Sequence, residues 1–583
     1  MKRAADRSLE SEEDEDSEDS SESGGWSDEE SDQDELLEDL PTELFLRADE
    51  ILDQLQHSND VELVGKARQA LVKSRILLFA LHPEHKEMSD KALQRSDGKV
   101  PPGSSLVQRT LLDRRFLLSQ VSLALAKVEA ISCLDPSNQQ SIQLLRESLV
   151  FFPRCVEALY LLALALKPLA SDSTKMDEVE SLLRKAAATT ISSPPGFPGS
   201  SSSTTPMPPA ASLEEDIIFL HRCTKAAAVA QQALALLLLQ SGRASDAAKH
   251  LIAQKFKWRL SSEVLNYSAP SSLSSTPLTS TPLTLHSDRF VQCLDDVFGA
   301  EALEELKRVY RQQSPYWLEH SYDLASNSSR HAGYVSYLYP LHNRRAMCSI
   351  EQIIDSIFQV ARVKFPQCSS CSVAEWWVHS RHHCAGHQLH FDSDETQIES
   401  GGAPHHPLVS AVLFVSDDEP SSVGGPTLVT NQTLSGNELA TLGWLCHPKQ
   451  NRLCLFDAQC LHGVIPGKGP NPALESRRLT FMVGFWDKIT AQDRGVDSPG
   501  PGQCFPEAGK TRWTWPAEMA LRPGVDYPLS SAPERLSKAT PISVSSVWEL
   551  IVEDAKTGNE AGARVGAGGS GALPSYNSCF MGF

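Results

Sequence analysis

The hydrophobic periodicity of this chain changes partway along it, and that change limits what it can fold into. From about Glu35 to Glu263, apolar residues recur at the spacing of one helix face, as in "VELVGKARQALVKSRILLFAL" and "TLLDRRFLLSQVSLALAKVEAI". From about Val373 they alternate over short runs broken by Gly and Pro: "AEWWVHS", "GHQLHFD", "PLVSAVLFV", "GGPTLVTN", "NRLCLFDAQCLHGV" and "RRLTFMVGFW". Alternation of this kind predicts strands, and their spacing predicts an antiparallel sandwich or jelly roll. Between the two regimes lies Ala269–Leu285, "APSSLSSTPLTSTPLTL", with the composition of a linker. The chain is therefore expected to be multidomain, with an all-α N-terminal unit followed by a β unit with flanking helices.

Within the helical part, "SIQLLRESLVFFPRCVEALYLLALALKPLA" predicts a helix ending near Phe151–Phe152, a turn at Pro153 and a second helix. "MDEVESLLRKAAATT" predicts the next one, and Ala227–Gln254 predicts a helix, a Ser-Gly-Arg turn and another helix. Helix pairs with large and small apolar residues in alternation and a Pro at the turn resemble tetratricopeptide repeats, with an irregular repeat length. An unspecific helical domain is the alternative. Pro41 is expected to open a first helix at "PTELFLRADEILDQLQ". After the linker, "DRFVQCLDDVFGAEALEELKRVYRQQ" reads as helical, and so does "SVSSVWELIVEDAK" near the end.

Charge divides the chain further. Residues 1–40 hold 18 acidic and three basic side chains, most of the formal charge of −21. Such a segment repels itself and buries little, so 1–34 is expected to be a disordered acidic tail. Its serines are either sites for an acidophilic kinase or part of a solubilising tail. The expected units are then 35–268, helical with a disordered Ser/Pro loop at 192–212; a linker at 269–286; a β unit at 287–550; and a mobile tail at 555–583. Cutting the linker is expected to leave two fragments that each fold. No apolar run is long enough for a membrane span, and no secretory signal is evident at the start. The 13 cysteines are an odd number spread over the chain, which suggests reduced thiols in the cytoplasm or nucleus.

The chemistry concentrates in "GHQLHFDSDE". His390 and Asp392 sit two positions apart at the end of a strand, so they face the same side. His462 ends a later strand, and Arg478 and Thr480 share one face of the strand after that. The chain also contains His286-Ser287-Asp288, an H-x-D outside any strand pattern, which shows how little that spacing means alone. Two imidazoles and a carboxylate on one side of a cavity form a facial triad suited to Fe(II). Arginine with a hydroxyl two positions on suits a carboxylate.

The order H-x-D, strands, "GGPTLV", strand, His, then R-x-T resembles the Fe(II)/2-oxoglutarate-dependent dioxygenases, nearest to their prolyl 4-hydroxylase-like branch, over roughly Trp317–Trp486. That resemblance implies a double-stranded β-helix (jelly-roll) domain. It implies that His390, Asp392 and His462 hold iron and serve as the catalytic centre, and that Arg478, helped by Thr480, binds the distal carboxylate of 2-oxoglutarate. The reaction implied is hydroxylation of a C–H bond coupled to decarboxylation of the cosubstrate, and ascorbate is admitted as an accessory reductant. Arg477 is the anchor instead if the register slips by one. The loop between His462 and Arg478, "GVIPGKGPNPALES", is longer than in compact relatives.

Three other features have competing explanations. Cys368, Cys371, His382, His383, Cys384 and His387 include zinc-like spacings, but they lie around a strand and read equally as a Cys- and His-rich loop. His405 and His406 read as surface residues. Trp376 and Trp377 are adjacent, so one faces in and one out. Residues 351–487 carry eight basic and 14 acidic side chains, which disfavours nucleic acid as a partner. A protein substrate or partner recruited through the helical unit is expected. A small-molecule hydroxylase and a non-catalytic helical-repeat scaffold are the alternatives.

Overall fold

The computed structural model describes residues 29–55, 61–81, 83, 86–87, 89, 114–133, 137–188, 210–268, 288–320, 335–342, 345–394, 397–398, 401–417, 423–436, 438–474, 476–491, 500–506, 511–552 and 576–582. The expected linker, most of the Ser/Pro loop, the first 28 residues of the acidic tail and most of the C-terminal tail lie outside these.

The N-terminal half is helical: α1 (Glu29–Leu55), α2 (Val61–Leu81), α3 (Arg114–Cys133), α4 (Gln139–Phe151), α5 (Val156–Leu166), α6 (Ser173–Ala188), α7 (Ala210–Gln240) and α8 (Ala244–Ala253). Successive helices pack on one another. Asn138 caps α4 by accepting from the Gln140 N–H at 2.8 Å, and the turn at Pro153 follows as expected. The turn between α7 and α8 places Gly242 at a φ of +75°, a conformation that costs glycine little. Large and small side chains interlock, with Leu159, Leu162, Ala158 and Ala163 of α5 all buried. Two carboxylates are buried among these helices and both are paired: Glu147 accepts from Arg75 at 2.9 and 2.6 Å and from Ser122 at 2.9 Å, and Glu129 pairs with Arg68 at 2.7 Å. No helix among the described residues is long and apolar enough to cross a membrane.

Pro41 does not open a helix. It lies inside α1, which begins at Glu29, within the segment expected to be a disordered tail. Acidic residues favour the first turns of a helix. The Pro41 carbonyl accepts from the Ser74 hydroxyl at 2.7 Å, which ties α1 to α2 at that point.

The C-terminal half is built from strands. The strand β1 (Trp258–Leu260) still belongs to the N-terminal half. After it come β2 (Val291–Asp295), β3 (Tyr337–Pro340), β4 (Val373–Arg381), β5 (His387–His390), β6 (Val409–Phe414), β7 (Thr427–Thr433), β8 (Gly443–Cys446), β9 (Leu453–Asp457), β10 (Cys460–Val464), β11 (Arg478–Trp486), β12 (Gln503–Cys504), β13 (Ser537–Ala539), β14 (Ile542–Val544), β15 (Trp548–Leu550) and β16 (Cys579–Phe580). The longest helices that accompany them among the described residues are α9 (Ala300–Val309) and α10 (Ser349–Lys364). The strands form an eight-stranded sheet, in the order β12-β3-β4-β11-β6-β9-β2-β13, and a five-stranded sheet, β14-β8-β7-β10-β5.

Three sequence expectations are corrected here. Val291–Asp295, read as helix, is strand β2, because Val291 and Cys293 turn to one side and pair with β9. "SVSSVWELIVEDAK" forms no helix among its described residues. Its serines are weak helix formers, and Trp548–Leu550 finds a strand partner in β1. "NRLCLFDAQCLHGV" is two strands in different sheets, separated at Ala458–Gln459.

The buried side chains fall into three groups that explain the layering. Val412, Cys454, Phe456 and Met482 of the large sheet meet Val429, Trp444 and Cys446 of the small sheet, so the inner faces pack on each other. The outer face of the large sheet, with Phe481, Val483 and Trp376, is covered by α9 and α10. Leu389, Leu428, Leu445 and Leu461 of the small sheet's outer face join the same apolar cluster as the N-terminal helices.

That last contact unites the two halves. Strand β1 pairs antiparallel with β15 and parallel with β16, making a third sheet from the end of the helical half and the C-terminal strands. The loop after His462 is also docked on the helices: Pro466 O accepts from the Gln240 side chain at 3.0 Å, and the Asn471 side chain donates to Pro168 O at 2.8 Å. Lys468 Nζ donates to Asn266 Oδ1 and to Tyr267 O at 2.8 and 3.0 Å. Two fragments that fold independently, as the composition of 269–285 suggested, do not fit a shared core of this kind. Cleavage within 269–286 is expected to leave the fragments co-eluting on size exclusion and unfolding in one transition. A monomeric, folded fragment beginning near residue 287 would contradict this.

Candidate metal and cosubstrate site

Strand pairing brings the three proposed ligands together. His390 of β5 is the direct partner of His462 on β10, and their ring centroids lie 4.3 Å apart. Asp392 follows two residues after His390. The residue between them, Phe391, turns outward onto the cluster shared with the helices. The Asp392 Oδ1 lies 3.5 Å from His390 Nε2 and 3.6 Å from His462 Nε2. Adjacent ligands of a divalent ion coordinated octahedrally at about 2.1 Å are about 3 Å apart, so little movement is needed for all three to reach one ion.

The outer atom of each ligand is already engaged. His390 Nδ1 donates to Gln388 O at 2.8 Å, and His462 Nδ1 donates to Cys460 O at 3.0 Å. Both bonds fix the tautomer that leaves Nε2 as a lone pair facing the centre. Asp392 Oδ2 accepts from Ser410 Oγ at 2.6 Å, leaving Oδ1 for an ion. The Asp392 carbonyl accepts from His406 Nδ1 at 2.6 Å, so His406 supports the site rather than standing free on the surface. Burial pushes the Asp392 carboxyl up, but His462 and His390 outweigh it and hold the group well below its ordinary value. The donor set of two imidazoles and a carboxylate, each held from behind, fits Fe(II) or a similar divalent ion.

Arg478 and Thr480 are both buried on β11 and share its inner face with Met482, whereas Phe481 and Val483 face α9 and α10. Arg478 Nη2 donates to Thr427 Oγ1 of the small sheet at 3.0 Å, and its guanidinium lies 5.1 Å from the centre of the Phe414 ring. Its Nε has no hydrogen-bond partner among the described residues although the side chain is only 3 % exposed. Burial, with Arg381 nearby, lowers the Arg478 pKa to about 9. An unsatisfied buried guanidinium is costly, and a carboxylate in the cavity would relieve it. Arg477 points the other way, donating from Nε to Ser380 Oγ at 2.9 Å and from Nη2 to Ser380 O at 3.0 Å. The register therefore turns Arg478, not Arg477, to the interior.

"GGPTLV" has a steric reason. Gly424 has a φ of +90°, and a Cβ there would lie 2.4 Å from Arg478 Cδ. A Cβ on Gly425 would lie 2.0 Å from Ile465 O. The two glycines let the chain pass between Arg478 and the docked loop.

Reading the sequence missed His379 and Arg381, and it singled out His387 only as part of a zinc-like spacing. The alternation along β4 puts His379 opposite Thr480 and Arg381 opposite Arg478. Arg381 Nη2 donates to His387 Nδ1 at 3.0 Å, and the His387 ring lies 4.7 Å from that of His390. Burial, then Arg381, holds His379 and His387 well below the ordinary imidazole value, so both are neutral. The signal was available in "EWWVHSR", whose odd-numbered residues share one face.

The zinc-like spacing is not realised. Cys368 and Cys371 are buried against α10, while His383 accepts from the Gly424 N–H at 3.0 Å, and no metal-sized group forms from that set among the described residues. Trp376 faces α9 and α10 and Trp377 faces the other way, as alternation requires. His405 pairs with Asp487 at 2.9 Å. Asp288 pairs with Lys538 at 2.7 Å, away from the centre, and His286 lies outside the described residues.

No family model matches the chain, and no curated protein matches it in sequence. Seventeen chains of solved structure match it. A prolyl-4-hydroxylase of Pseudomonas putida aligns at 14% identity and a TM-score of 0.21, over 34% of this chain and 85% of that one. HygX of Streptomyces hygroscopicus, solved with nickel and 2-oxoglutarate bound, aligns at 15% identity and a TM-score of 0.21, over 38% of this chain and 95% of that one. At that TM-score neither likeness establishes a shared fold, and the chemistry is read from the side chains.

Ser410→Ala is expected to weaken metal affinity by roughly 10- to 100-fold, because the carboxylate loses the hydroxyl that orients it. Competition with a chromophoric chelator measures this, and an unchanged affinity would separate Ser410 from the metal.

Proposed function

We propose that the chain is an Fe(II)- and 2-oxoglutarate-dependent dioxygenase, prolyl 4-hydroxylase-like, whose two sheets form a double-stranded β-helix. The observation that carries this is the convergence of His390 Nε2, His462 Nε2 and Asp392 Oδ1, all held from behind, beside a buried guanidinium with an unmet donor. Iron bound there with 2-oxoglutarate and dioxygen supplies oxidative decarboxylation coupled to hydroxylation of a C–H bond.

The chain's own residues do the rest. Arg478 binds the far carboxylate of the cosubstrate, and the Thr480 and Thr427 hydroxyls line that end. Phe414 shields the ion pair from water, which strengthens it. Neutral His379 and His387 add no charge next to the metal. Ser410, Gln388 and Cys460 hold the ligand faces in register, so the ion meets a preset geometry.

A protein is the substrate we favour. The β unit carries an acidic balance that suits no phosphate backbone, and the helical half, read as a tetratricopeptide-like array, shares an apolar cluster with the sheet that carries His390 and His462.

The purified protein is expected to bind one Fe(II) at this site and to release succinate from 2-oxoglutarate. His390→Ala or Asp392→Ala abolishes both. Arg478→Ala raises the 2-oxoglutarate requirement at least tenfold with iron binding kept, since leaving a buried charge unpaired costs on the order of 2–5 kcal/mol. Arg477→Ala leaves the requirement near wild type. Iron binding at wild-type level in both ligand variants would refute the assignment. Incubation with cell extract, followed by a search for proteins heavier by one oxygen atom, tests the substrate class.

A further inference from the structure

A second convergence of ligand atoms lies elsewhere between the sheets. Cys293 on β2, Cys454 on β9 and Cys446 on β8 are all buried, and their sulfurs lie within 4.8 Å of one another. Cys293 Sγ is 3.2 Å from Cys446 Sγ, and Cys454 Sγ is 3.4 Å from it. Cys293 and Cys454 are direct cross-strand partners in the large sheet, while Cys446 reaches in from the small one. Three thiols from three strands of two sheets thus meet at one point.

Their surroundings differ from an ordinary apolar core. A cavity of about 180 Å³ opens onto Cys293 and Cys446, lined also by His447, Arg452 and Ile542 among others. His447 is 7 % exposed, and its Nε2 has no hydrogen-bond partner among the described residues. Arg452, held by Asp295 at 2.6 Å, brings a guanidinium to the same cavity.

We propose that Cys293, Cys446 and Cys454 bind one Zn²⁺, with the fourth position facing the cavity at His447. Thiolates favour zinc and other soft ions, and tetrahedral zinc at about 2.3 Å from sulfur separates its thiolates by about 3.8 Å, a small opening of the present spacing. The ion displaces the three thiol protons to solvent, leaving one net negative charge that the Arg452 guanidinium faces. A water in the cavity fills the fourth position and donates to His447 Nε2. The cavity also supplies the entry path that a buried site requires.

The position gives the ion a structural role. It ties the two sheets together at Cys446, whose strand partner is Thr427, the residue that accepts from Arg478. The site does not depend on the iron reading, because it uses none of the same residues.

The full-length protein, reduced and stripped of metal, is titrated with Co²⁺ and read by near-ultraviolet absorption. A thiolate-to-cobalt charge-transfer band saturating at one equivalent and displaced by Zn²⁺ is expected. It should persist in Asp392→Ala and in Cys368→Ser/Cys371→Ser, and it should vanish in Cys454→Ser, where zinc affinity falls about 100-fold or more. Absence of the band in the wild-type protein overturns the proposal whatever the variants do. A band that survives in both Cys454→Ser and Cys293→Ala overturns it too, as does a Cys293–Cys446 disulfide in protein purified under reductant.

Discussion

His390 and His462 are cross-strand partners, and the rest of the site depends on that register. A slip of one residue between β5 and β10 would turn one imidazole onto the helices and bring Leu461 or Leu389 inward. Both leucines are buried in the cluster shared with the N-terminal helices, so the apolar demand of that cluster holds the register. The same alternation places Phe391 outward and Asp392 inward. The three proposed metal ligands are therefore positioned by hydrophobic burial on the opposite face of their own strands.

That dependence explains why the two halves meet where they do. The helices cover the back of the sheet that carries both histidines, and the loop after His462 reaches across to Gln240, Tyr267, Pro168 and Ala170. Its length, unexplained by the site chemistry, is what the dock requires. Through Ile465, next to Gly425, the dock also bears on the "GGPTLV" turn and so on Arg478.

Much of this was legible from period and punctuation. The boundaries of α2, α4 and α5 and the turn at Gly242 follow from apolar spacing and turn residues, and His390, Asp392 and His462 stand where alternation puts them. The failures have physical causes. Strands β1, β14 and β15 are three residues each, too short to show a period, and exist because each finds a partner far away in sequence. Val291–Asp295 resembles a helix until β9 supplies its ladder. The choice between Arg477 and Arg478 needed the register of β11 against β4 and β6, which no local pattern contains. The Cys293, Cys446 and Cys454 cluster is invisible as a motif because its members come from strands ordered by topology, not by spacing.

The three-stranded sheet β15-β1-β16 has a consequence for how the protein is made. Strand β1 leaves the ribosome long before β15 and β16, which are encoded hundreds of residues later. During synthesis the N-terminal helices therefore carry an unpaired strand edge and an uncovered apolar face. Both are closed only when the C-terminal strands arrive. Contacts so distant in sequence slow folding and leave the nascent chain dependent on chaperones for longer than a helical unit alone would be. A chain that ends before β15 leaves both edges of β1 without their partners, and its helical half keeps an open strand edge.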